Sequence, residues 1–130
     1  MRSYFWVGLG GGLGALLRYG VSIWVASPVF PWNFLIINLT GSLVIGMIMA
    51  LAIDFSLLSQ DVRLFSAVGI MGGYTTFSTF TYGVYRLYLL HQIGYALLYS
   101  SISLVGGLLS CGIGIIIAKV VVGKWRQLFS

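Results

Sequence analysis

Asn33 to Ile53 reads NFLIINLTGSLVIGMIMALAI, an apolar run without a charged side chain. A helix rises about 1.5 Å per residue, so roughly 20 such residues cross a hydrocarbon core about 30 Å thick. The run predicts a membrane-spanning helix, and the chain on either side repeats the pattern. Upstream, Ser27-Pro28-Val29-Phe30-Pro31-Trp32 cannot continue a helix. Before it lies another apolar stretch, from about Tyr4 to Ala26, so two helices form a tight hairpin. Downstream, the polar Asp54 to Asp61 loop leads into a third stretch, from about Val62 to Tyr88. After Leu89 to Ile93 the fourth runs from about Gly94 to Val122.

Composition agrees. Hydrophobic residues make up 59% of the 130 residues and charged ones 7%, against about a quarter charged in soluble domains. The reading is an all-α membrane protein with four transmembrane helices, residues 1–130 forming a single domain without a linker or low-complexity tract. The first stretch is too long and Gly-rich for a signal peptide, and Arg18 interrupts it, so it is read as a mature helix. The net charge of +5 comes from scattered Lys and Arg near helix ends, not from a basic stripe that would bind nucleic acid. With four spans, Arg2, Arg63, Lys119, Lys124 and Arg126 share one side, against Arg86 and at most Arg18 on the other. The positive-inside rule then favours cytoplasmic termini. Cys111 is the only cysteine and can form no disulfide within the chain; it reads as a small packing residue.

Glycines recur at i, i+4 spacing, as in Gly8 and Gly12, Gly10 and Gly14, and Gly69 and Gly73, so close helix packing is expected, within the subunit or across a dimer seam. Gly10, Gly12 and Ala15 fit a dinucleotide-binding pattern, but no strand precedes them and the next acidic residue is Asp54, so that match is rejected.

The absences narrow the chemistry. The two carboxylates, Asp54 and Asp61, fall in a loop, so no embedded acid is available to trade protons for a cationic drug. His91 falls in another loop, and no Cys/His cluster or embedded carboxylate pair supports hydrolysis; the protein is not read as an enzyme. The anomaly is Gly72-Gly73-Tyr74-Thr75-Thr76-Phe77-Ser78-Thr79-Phe80-Thr81, which places five Ser and Thr hydroxyls and two glycines inside a span. Two glycines followed by β-branched threonines favour a break near the middle of the third helix, and irregular backbone at that depth is tolerated where it is buried in protein or lines a polar cavity. The alternative is that these hydroxyls bond back to the preceding turn.

Phe77 and Phe80 share a helix face, either as ordinary lipid or core contacts or, since a phenyl edge carries partial positive charge, as edges that suit a partly dehydrated anion. Asn38 offers two N–H groups inside the second span, as an anion donor or as interhelical glue. Tyr99, Ser103, Gly106 and Ser110 form a small or polar stripe that suits a pore wall or helix packing. Arg18 either snorkels to the interface or lines a vestibule that attracts anions. The embedded inventory is rich in donors, aromatic and free of negative charge, which favours a small anion over a cation.

Three ordered motifs, Gly11-Gly12-Leu13-Gly14-Ala15-Leu16-Leu17-Arg18-Tyr19, Asn38-Leu39-Thr40-Gly41-Ser42 and Gly72 to Phe80, resemble the signatures of the Fluc, or CrcB, fluoride channels. The resemblance spans essentially the whole chain. It implies an antiparallel dual-topology homodimer in the cell (inner) membrane, with two pores passing fluoride passively out of the cell and limiting its toxicity. It implies that Asn38 is the pore amide, Phe77 and Phe80 the aromatic edges, Ser78 and Thr79 polar-track residues, and Tyr99 with Ser103 contacts from the fourth helix. It implies, further, a structural sodium ion, not transported, held by the backbone carbonyls of Gly72 and Thr75; hard cations take oxygen ligands. A small multidrug-type exporter is disfavoured by the missing embedded carboxylate, and a third reading is an assembly subunit without transport.

Overall fold

Two prolines set the first corner. In the computed structural model, which describes residues 2–128, helix α1 (Arg2–Trp24) gives way to an irregular stretch over residues 25–31 that contains Pro28 and Pro31. Ser27 and Asn33 close the turn, the Ser27 hydroxyl accepting from the Asn33 N–H at 3.0 Å. Helix α2 (Trp32–Met49) follows and passes without interruption into a π-helical stretch, Ala50–Asp54. Ser59 caps the next helix, its hydroxyl accepting from the Val62 N–H at 3.4 Å. That helix winds as α3 (Gln60–Arg63), a π-helical stretch (Leu64–Met71) and α4 (Gly72–Tyr74). Thr75 and Thr76 are extended, then come α5 (Phe77–Leu89) and α6 (Ile93–Leu128). No strand occurs among the described residues.

The helix α6 runs past the expected end near Val122 to Leu128. Past Val122 the tail carries one poor helix former, Gly123, and no proline, while Lys124, Arg126, Gln127 and Leu128 are good helix formers, so the helix continues when the apolar run ends. At the same end of the bundle, Lys119 Nζ lies 3.2 Å from Asp54 Oδ2 and the Arg126 guanidinium sits 5.5 Å from the centroid of the Phe55 ring. At the opposite end, Arg86 Nη2 donates to the Pro28 carbonyl at 2.8 Å and Nη1 to that of Ser27 at 3.4 Å, tying the first corner to α5.

Packing depends on close backbone approach. The helices α2 and α6 meet where Gly46 lies against the Cys111 carbonyl and Gly114 against that of Leu43. The helix α1 meets the third helical segment through Gly10, Gly14, Gly69 and Gly73, and a methyl added at any of these would run into backbone. Those four therefore pack within the subunit, whereas Gly8 and Gly12 face open space. Gly114→Ala should force α2 and α6 apart and destabilise the fold by about 1–3 kcal/mol, read as a lower melting temperature in detergent.

A small core of Phe30, Leu35, Leu87, Ala96 and Tyr99 forms where the first corner, α2, α5 and α6 converge. Elsewhere the polarity is that of a chain surrounded by hydrocarbon: Leu16, Trp24 and Leu108 are 68%, 89% and 78% exposed. Trp32–Asp54 and Ile93–Leu128 are each long and apolar enough to cross a membrane.

Candidate functional site

The site is built around the two extended threonines. Thr75 completes the preceding helix, its N–H and hydroxyl both donating to the Met71 carbonyl at 2.9 and 2.8 Å. The chain then straightens, with ψ of 155° at Thr75 and φ of −158° at Thr76. In a continuous helix the Thr76 N–H would go to the Gly72 carbonyl. Here it donates to Asn38 Oδ1 at 3.1 Å, and the Thr76 carbonyl accepts from Asn38 Nδ2 at 3.4 Å. Asn38 thus satisfies both backbone groups of Thr76. An amide nitrogen carries two protons, and one of them is left for another acceptor.

Beside this clasp lies a groove of about 300 Å³. Asn38, Ser42 and Ile45 supply the α2 wall, Thr75 and Thr76 its end, Phe77 and Phe80 the α5 wall, and Ser103 with Leu104 the α6 wall. Phe77 and Phe80 have ring centroids 5.4 Å apart at 37°, and Phe80 rests on Tyr99 at 5.6 Å and 33°. Tyr99 in turn takes Phe30 edge-on at 5.7 Å, so a train of rings connects the groove to the first corner. Tyr99 is fully buried behind Phe80, outside the groove's wall. The Tyr99 and Ser103 hydroxyls, one helical turn apart, are both buried, with no partner but each other. Carboxylates do not line the groove; Asp54 is at the end of the bundle, paired with Lys119. The arrangement offers N–H, O–H and ring-edge contacts to an ion that accepts hydrogen bonds.

Among families, the model described as "CrcB-like protein, Camphor Resistance (CrcB)" matches residues 5–115. The chain belongs to the CrcB family. Its relatives include the fluoride-specific ion channel FluC of one Thermus thermophilus strain, 43% identical over 95% of this chain and 98% of the relative. The FluC of a second strain of that species is 41% identical over 95% of this chain and all of its own length, 100%. That of Chlorobium chlorochromatii is 42% identical over 90% and 92%.

The groove of this CrcB chain brings together Asn38, Phe77, Phe80 and Ser103, while several other candidate residues stand apart from it. Ser78 is exposed on the first turn of α5, its hydroxyl paired with that of Thr76 at 2.7 Å. Thr79 and Thr81 turn their hydroxyls back to the carbonyls of Thr76 and Ser78, at 3.4 and 2.9 Å. Arg18 is half-buried on α1, one turn beyond Gly14, and is not part of the groove. Gly72 is exposed, its carbonyl deprived of the helical donor that Asn38 has captured. Among the described residues no group of three or more His, Cys, Asp or Glu is placed to hold a metal ion. Sequence reasoning passed over Ser42 and Thr76 as groove residues. The spacing Asn38 to Ser42 is i, i+4, and that was the available signal for Ser42.

Proposed function

We propose that this CrcB chain is a subunit of a fluoride-specific channel, not an enzyme, and that it passes fluoride passively out of the cell and so limits the ion's toxicity. The observation that carries the reading is the groove, where Asn38, with one N–H to spare, lines the same space as Ser42, Ser103 and the rings of Phe77 and Phe80, with no carboxylate among the lining residues. Fluoride holds its water tightly, so a path for it must replace hydration with donors while binding loosely enough for release. Ring edges add positive potential without a fixed charge that would trap the ion. The relatives' name, fluoride-specific ion channel, fits this chemistry.

In this reading the chain crosses the inner cell membrane four times, with its third span broken at Thr75 and Thr76. Two copies pair as an antiparallel dual-topology homodimer, and each contributes to two pores. The second copy covers the open side of the groove, where Phe77 is 73% exposed. Ser78 and Thr79 extend the polar track, Tyr99 backs Phe80, and Arg18 draws anions toward an entrance. A structural sodium fits the donor set at the break, because Gly72 and Thr75 offer carbonyls there and the Gly72 carbonyl lacks its helical N–H. Such an ion would neutralise those oxygens and fasten the broken helix.

The test is fluoride efflux from liposomes holding only this protein, with chloride as control and an ionophore to balance charge. Rapid fluoride efflux without chloride efflux is the expected result; well-folded protein that passes neither would overturn the proposal.

A further inference from the structure

Resting on the reading of the groove as a fluoride path, we propose that Ser42 is a further fluoride donor, a specificity-determining residue one helical turn beyond Asn38. Helix-borne hydroxyls in this chain are commonly satisfied by their own backbone. Those of Ser22, Thr40, Ser66, Thr81 and Ser100 donate to carbonyls three or four residues earlier, at 2.7, 2.7, 2.6, 2.9 and 2.8 Å. Ser42 makes no such bond and has no other hydrogen-bond partner among the described residues, although it is half-buried and lines the groove. Its hydroxyl keeps a proton for something that is not protein.

The opposite wall explains why there is room. On α6, Ser103 faces the groove and the next residue one turn on is Gly107. A Cβ placed on Gly107 would lie 3.6 Å from Ser42 Oγ, an ordinary contact distance. The absence of a side chain at Gly107 thus leaves a space that α2 fills with a hydroxyl. The donors then run from Asn38 and Ser103 at one level to Ser42 at the next. Just beyond, Gly46 packs against the Cys111 carbonyl and brings the two helices together. An ion that leaves the Asn38 amide in this direction meets Ser42 before the helices close.

The experiment compares fluoride and chloride efflux from liposomes for the full chain and three variants, with melting temperature in detergent as the structural readout. Ser42→Ala should slow fluoride efflux about tenfold, the effect of one hydrogen bond to a charged group, with an unchanged melting temperature because no protein bond is lost. Ser42→Thr keeps the hydroxyl, and Ser42→Ala combined with Gly107→Ser returns one to the same space from α6. Recovery of flux in either variant supports a donor role. Ser42→Ala conducting like the unsubstituted chain would overturn the proposal, and so would a loss that neither hydroxyl restores. An unsubstituted chain that passes no fluoride would sink the channel reading itself, and this proposal with it.

Discussion

Asn38→Asp is expected to leave the protein folded and assembled while lowering fluoride flux by about a hundredfold. The carboxylate has the shape of the amide, and its Oδ1 can still accept the Thr76 N–H that Asn38 now holds at 3.1 Å. What is lost is the long 3.4 Å bond from Nδ2 and the spare N–H of a residue that lines the groove. In their place stands a negative charge with no cation on the groove's walls. At 4 Å and an effective dielectric of about 20, it repels an anion by roughly 4 kcal/mol, more than the ~2.7 kcal/mol that a hundredfold represents. Size-exclusion chromatography checks assembly and liposome efflux checks flux. Unchanged efflux would remove Asn38 from the ion path. Asn38→Ala is the less informative variant, because it also releases both backbone groups of Thr76 and should lower stability.

Phe80→Leu should cut fluoride efflux at least about tenfold while costing about 1 kcal/mol of stability. Phe80 lies between Phe77 and Tyr99, at 5.4 and 5.6 Å, and supplies the groove wall that Tyr99 supports from behind. Leucine fills much of the volume but presents methyl groups where the ring edge had partial positive charge. The melting temperature and the efflux per folded protein separate the two effects. Flux that falls only in step with the folded fraction would make Phe80 a packing residue and remove ring-edge contacts from the mechanism.

The helical architecture was legible because the apolar runs around Asn33–Ile53 and Gly94–Val122 are long, the first without a charge and the second with Lys119 alone, and because Pro28 and Pro31 break the chain ahead of them. The π-helical turns over Ala50–Asp54 and Leu64–Met71 were not legible. The second of them packs against α1 through Gly69, a contact between segments that no local residue pattern announces. The Gly72 to Thr81 stretch stood out through its hydroxyls and glycines. Yet Gly72 and Gly73 remain helical and the extended pair is Thr75 and Thr76, because Asn38, thirty-eight residues away, supplies the hydrogen bonds that the straightened backbone needs. Sequence left Asn38 divided between glue and donor; the clasp uses both sides of the amide and leaves a proton over. The hydroxyls of Thr79 and Thr81 are satisfied by local carbonyls, and only the folded chain separates them from those of Ser42 and Ser103, which bond to no carbonyl.

The two-point hold of Asn38 on Thr76 also limits how far this sequence can drift. A replacement must present an acceptor and a donor at once, at the reach of a two-atom stem. Aspartate keeps the acceptor but sets a negative charge against the ion, serine is too short to meet both backbone groups, and glutamine overshoots by a methylene. Position 38 is therefore closed to gradual exploration. Variation in ion handling among descendants of this chain should enter through its neighbours, such as Ser42 and Gly107, which face the same space without holding the backbone in place.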